Sequence, residues 1–129
     1  MTNERAKQIA DTILYQLRCG RQIFWSWGAH AFRFAITEGL YQNAYLLFRV
    51  HGFVYKGLVR VILNGLDNYN LQLVKKVNGE LQVTKELDNV GCESMLEILD
   101  RWIEKSGSQA EYEQKVRGSQ TLFLPIQEN

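Results

Sequence analysis

The dipeptide Asn78-Gly79 stands between two stretches that alternate apolar and polar residues, Tyr69, Leu71 and Leu73 before it and Glu80 to Leu87 after it. Asparagine and glycine tolerate positive φ, so this pattern predicts a tight type I′ hairpin. A hairpin at that point commits the middle of the chain to antiparallel sheet. The same period of two runs upstream. Phe32, Phe34 and Ile36 alternate with Arg33 and Ala35. From Ala44 to Phe53, Leu46, Phe48 and Val50 fall on one face and Tyr45, Leu47, Arg49 and His51 on the other. Leu58 to Leu63 puts Val59, Val61 and Leu63 on one side and Arg60 on the opposite one.

Helical spacing flanks these strands. Ala6, Ile9, Ala10, Ile13, Leu14 and Leu17 recur every three or four residues between Thr2 and Arg18, which predicts an amphipathic helix ending near Gly20. Beyond Gly91, Met95, Leu96, Leu99, Trp102 and Ile103 form a second stripe, with Glu93, Glu97, Asp100 and Glu104 around it. The expected fold is α+β: a five- or six-stranded, mainly antiparallel sheet with two helices packed on one face. Ser106-Gly107-Ser108 closes the second helix. Residues 1–106 make one domain, and residues 107–129 are a C-terminal tail. Its Thr121–Ile126 segment either folds back as an edge strand or cover, which is favoured, or adds to a partner's sheet.

With 129 residues, 46% hydrophobic and 22% charged, the chain has the makings of one globular domain. The net charge of +1 gives no long-range pull toward nucleic acid or membrane. The charge is uneven, however. Residues 1–63 carry eight basic and three acidic side chains, a net of +5, and residues 64–129 carry seven and eleven, a net of −4. The start of the chain does not read as a secretory signal, and no apolar run approaches the ~20 residues that span a bilayer, so a cytoplasmic protein is expected. Cys19 and Cys92 then read as small buried hydrophobes rather than a bridge.

No catalytic, cofactor-binding or metal residue is assigned. Cys19, His30, His51 and Cys92 lack the spacing of metal ligands. Ser26 in Trp25-Ser26-Trp27-Gly28 is not a nucleophile elbow, and no glycine-rich phosphate loop occurs. Glu93 and Glu97, one helical turn apart, belong to a solvated helix face.

The most specific physical feature is aromatic density. Ten of the fifteen aromatic residues lie in residues 24–55. Strand alternation puts Phe32, Phe34, Phe48 and Val50 under the helices. The opposite face then displays Arg33, Tyr45, Leu47, Arg49, His51 and Arg60, together with Leu58 and Ile62. The candidate binding site is Arg33, Tyr45, Leu47, Arg49, His51 and Arg60. This mixture of arginine, tyrosine and aliphatic side chains suits a protein interface, with a second copy or another protein. Nucleic-acid binding on the same face is the alternative, though exposed tandem aromatics are missing. A third possibility is that a loop or the tail covers the aliphatic residues and leaves the arginines merely solvated.

Four stretches carry a family resemblance: Ile23-Phe24-Trp25-Ser26-Trp27-Gly28-Ala29, then Val50-His51-Gly52-Phe53-Val54-Tyr55-Lys56-Gly57, then Asn64-Gly65-Leu66-Asp67-Asn68-Tyr69-Asn70, and Asp88-Asn89-Val90 ahead of Leu99-Asp100-Arg101. Over residues 5–105 the chain resembles a family of small proteins of unknown function carried by phages and conjugative elements of gut bacteria. It departs from that pattern at Asp67-Asn68-Tyr69 and at Gly91-Cys92-Glu93. The resemblance implies a mobile-element setting without a known activity, and action by binding to host machinery, for instance as an inhibitor of host defence.

Overall fold

The computed structural model describes residues 1–39, 42–65 and 67–105. Helix α1 (Asn3–Arg18) and the short α2 (Gln22–Ser26) precede five strands. These are β1 (His30–Ile36), β2 (Ala44–His51), β3 (Lys56–Leu63), β4 (Tyr69–Val77) and β5 (Glu80–Val90), and α3 (Cys92–Glu104) follows them. The sheet is a five-stranded antiparallel meander whose spatial order is its chain order. The fold class is therefore α+β, with five strands rather than six. The tail, residues 107–129, lies outside the described residues.

Both long helices take the faces that their periodicity predicts. Ala6, Ile9, Ala10, Ile13 and Leu17 are the buried residues of α1, and Thr2 caps it by accepting a 3.1 Å hydrogen bond from the Arg5 N–H. Met95, Leu99 and Ile103 are the buried residues of α3. They join the buried residues of α1 and Leu46, Phe48, Val59, Val61 and Leu71 of the sheet's inner face in one hydrophobic core. Each fully buried side chain of this size contributes roughly 1.5–3 kcal/mol. At the Asn78-Gly79 turn both φ angles are positive, 52° and 83°, as a type I′ hairpin requires.

Three sequence expectations need correction. Two helices are expected and the chain forms a third, α2, which is too short to show a period; it inserts Phe24 into the core, and Trp27 at its C-cap is buried beside it. There Phe24 packs edge-on against Trp27 at 5.4 Å and against Phe48 at 6.2 Å. Phe34 points to the helix side, yet it sits on the edge strand β1 and stays 39% exposed. Cys19 and Cys92 are both exposed free thiols, because each lies at a helix end rather than on a buried stripe.

The loop between β2 and β3 closes the C-terminus of α3. The Ile103 carbonyl accepts from the N–H groups of Val54 at 2.8 Å and Tyr55 at 3.0 Å, and Glu104 Oε1 accepts from the Phe53 N–H at 3.1 Å. Orphan groups at a helix end are thus satisfied by a strand connection. Gly52 makes the approach possible, since a Cβ there would lie 2.6 Å from the Ile103 carbonyl oxygen.

Candidate functional site: the concave outer face of the sheet

On the face away from the helices, Tyr45, Leu47, Arg49 and His51 of β2 stand opposite Ile62, Arg60, Leu58 and Lys56 of β3. On either side, Arg33 of β1 pairs with Leu47, while Val74 and Gln72 of β4 pair with Leu58 and Arg60. This face divides into two parts with different chemistry.

One part is a row of mutually satisfied polar groups. The Arg60 guanidinium lies over the Tyr45 ring, 5.0 Å from its centroid, and its Nε donates to Gln72 Oε1 at 2.7 Å. Gln72 Nε2 in turn donates to Glu86 Oε2 at 3.1 Å. Gln72 is the one buried polar residue among the described residues, and both ends of its amide are occupied. Arg60 and Tyr45 are thus engaged within the sheet rather than held out to solvent.

The other part is a cavity of about 310 Å³. Its cationic side chains are Arg33 of β1, Arg49 of β2 and Lys76 of β4, and its apolar surface comes from Leu47, Leu58 and Leu81, with Ala31 and Gly79 completing it. Among the described residues, no Asp or Glu lines it. Arg33, Arg49 and Lys76 are exposed, Leu47 and Leu81 are half-buried and Leu58 is buried, so charge stands around an apolar floor.

The geometry of this cavity follows from the coiling of the sheet. β1 and β5 are its opposite edges, and five strands laid flat would hold them about 19 Å apart at the usual spacing. Both edges nevertheless contribute to one hollow. A bulge between His30 and Arg33, with Ala31 at φ 56°, bends β1, and a second irregularity between Leu73 and Val74 bends the β4–β5 ribbon. Burial records the same curvature. Val74 is wholly buried and Leu58 is 9% exposed, although neither belongs to the core beneath the helices.

Of the six residues that the sequence nominates, Arg33, Leu47 and Arg49 come together in the cavity and Tyr45 and Arg60 form the adjoining row. His51 is exposed at the end of β2, where its N–H donates to the Trp27 carbonyl at 2.6 Å. Lys76 and Leu81 were missed. Their signal was available, since Lys76 is in phase with Gln72 and Val74 and Asn78-Gly79 fixes Leu81 opposite it.

Elsewhere, Asp11, Leu14, Tyr15, Arg18 and Cys19 border an open trough along α1, where the Arg18 guanidinium rests over Trp25 at 5.6 Å. Among the described residues, no group of three His, Cys, Asp or Glu side chains is placed to hold a metal ion, and no helix is long and apolar enough to cross a membrane. No protein-family model, curated protein or solved structure matches the chain.

Proposed function

We propose that this chain is a non-enzymatic binding module that engages a protein partner through the concave outer face of its sheet. The observation that carries this reading is the cavity, in which cations from three strands surround an apolar floor, with no acidic side chain in the lining among the described residues. Arginine is enriched among interface hot spots, and the leucines beside it supply apolar area to bury. Burying the apolar floor of Leu47, Leu58 and Leu81 against a partner would remove that surface from water and favour binding. The alternative, nucleic-acid binding, is less well supported because Tyr45, the aromatic residue of this face among the described residues, is covered by Arg60.

The partner is a second copy of the chain or a host protein. The resemblance to mobile-element proteins makes bacterial cytosol the first place to look, and interference with a host defence protein the first activity to assay. The test is a pull-down from bacterial lysate, with and without nuclease, using the native chain and the Arg33→Glu/Arg49→Glu variant. Light scattering of the purified chain separately reads self-association. A protein that survives nuclease and is lost with the variant supports the reading. Recovery of nucleic acid alone, or association that the variant leaves intact, overturns it.

A further inference from the structure

Resting on that reading, we infer that the cavity receives an acidic side chain of the partner together with an adjoining Leu- or Phe-sized apolar side chain. The occupant is a short segment of another protein that contains Asp or Glu beside an aliphatic or aromatic residue.

Size sets the first limit. A hollow of about 310 Å³ holds roughly ten waters at the ~30 Å³ that each occupies in the liquid. It lies near the lower end of the range for small-molecule sites. One or two side chains fill it.

Charge sets the second limit. Arg33, Arg49 and Lys76 come from three strands and border the same hollow. Neither arginine makes an ion pair or side-chain hydrogen bond among those found for the described residues. Arg60, by contrast, is committed to Gln72 and Tyr45. Planar guanidinium groups favour bidentate contact with a carboxylate, and such charge-assisted bonds strengthen beside a low-dielectric floor.

Arrangement sets the third limit. Leu58 at the floor and half-buried Leu47 and Leu81 require an apolar partner atom set next to the carboxylate. A nucleic-acid backbone would instead call for cations spaced along a track with stacking platforms between them. Here the cations cluster about a single apolar hollow.

The test is selection of displayed random peptides on the intact chain. Recovered sequences are then synthesised with fluorescein and measured by anisotropy, beside their Asp→Asn or Glu→Gln twins and a labelled oligothymidine. Enrichment of Asp or Glu next to Leu, Ile, Phe or Met is expected, and the amide twin should bind about tenfold more weakly or worse. Arg49→Gln should weaken binding similarly without altering the circular dichroism spectrum, and Arg49→Glu should weaken it further. Enriched peptides that lack an acid, or that bind Arg49→Gln as well as the native chain, overturn this inference. If such acid-free peptides are still lost with Arg33→Glu/Arg49→Glu, the protein-binding reading stands alone. If only oligothymidine binds, both fall.

Discussion

Trp27 and Asp100 are joined across the interior: the indole Nε1–H of the fully buried Trp27 donates to Asp100 Oδ1 at 3.0 Å. This bond links the C-cap residue of α2 to α3, 73 residues further along the chain. Asp100 Oδ2 also lies 3.7 Å from Lys105 Nζ, so its carboxylate serves a helix of the core and the last described residue together.

Removing the acceptor should expose what that bond contributes. Asp100→Ala leaves a buried indole N–H without its partner, and a loss of about 1–3 kcal/mol is expected in urea unfolding. Asp100→Asn retains an acceptor oxygen and should lose less. Equal losses in the two variants would show that the hydrogen bond is immaterial.

A neighbouring carboxyl makes stability depend on pH. Burial pushes Glu104 up to about 7, the negative charge of Asp100 adds to the rise, and the hydrogen bond from the Phe53 N–H opposes it. The group is raised from an ordinary 4.5, so between about 4.5 and about 7 the folded chain holds the proton that the unfolded chain has released. Its contribution is complete below pH 4.5 and is lost as pH rises through 7. Glu104→Gln should therefore have a melting temperature close to the native chain at acid pH and a higher one at pH 8. Parallel melting curves across that range would contradict the assignment.

The row Tyr45–Arg60–Gln72–Glu86 should behave as a structural unit. Gln72→Leu removes the acceptor for Arg60 Nε and the donor to Glu86, and a cost of roughly 1–3 kcal/mol is expected from the stranded charged groups. The Arg60→Met/Gln72→Leu pair should recover part of that cost. A double-mutant cycle read by chemical denaturation measures the coupling, which additive losses would place near zero.

Gly52 and Gly65 offer a contrast in close packing. At Gly52 a Cβ would overlap Ile103 Cγ2 and lie 2.6 Å from the Ile103 carbonyl oxygen, whereas at Gly65 it meets nothing within 4 Å. Gly52→Ala should cost about 1–3 kcal/mol by prising the β2–β3 loop from α3, and Gly65→Ala should fall within about 0.5 kcal/mol of the native chain. Thermal melts of the two variants suffice, and equal midpoints would contradict the close approach.

Period and turn chemistry made most of this fold legible. The stripes Ala6–Leu17 and Met95–Ile103 are the buried faces of α1 and α3, and alternation from Tyr45 to Arg60 separates the two faces of the sheet correctly. What escaped was whatever depends on curvature or on very short elements. One turn and a half of helix, Gln22–Ser26, has no period to detect. The burial of Val74 and Leu58 on the face without helices arises from coiling, which alternation does not encode. The cavity pairs Arg33 with Lys76 for the same reason: they lie on β1 and β4, and their proximity is a property of the bent sheet. The role of Arg60 also had to await the register that sets it opposite Gln72.

The meander order of the strands bears on how the chain comes to be folded as it is synthesised. Every strand pairs with its immediate neighbour in the chain, so hairpins can close one after another while the polypeptide emerges. The helix that packs against β4, α3, is made last. Until residues 92–104 leave the ribosome, the apolar side of β4, with Leu71, lacks the helix that packs against it. The nascent chain passes through an adhesive stage whose length is set by translation speed, and slowing the ribosome between Val90 and Glu104 should lower the soluble yield.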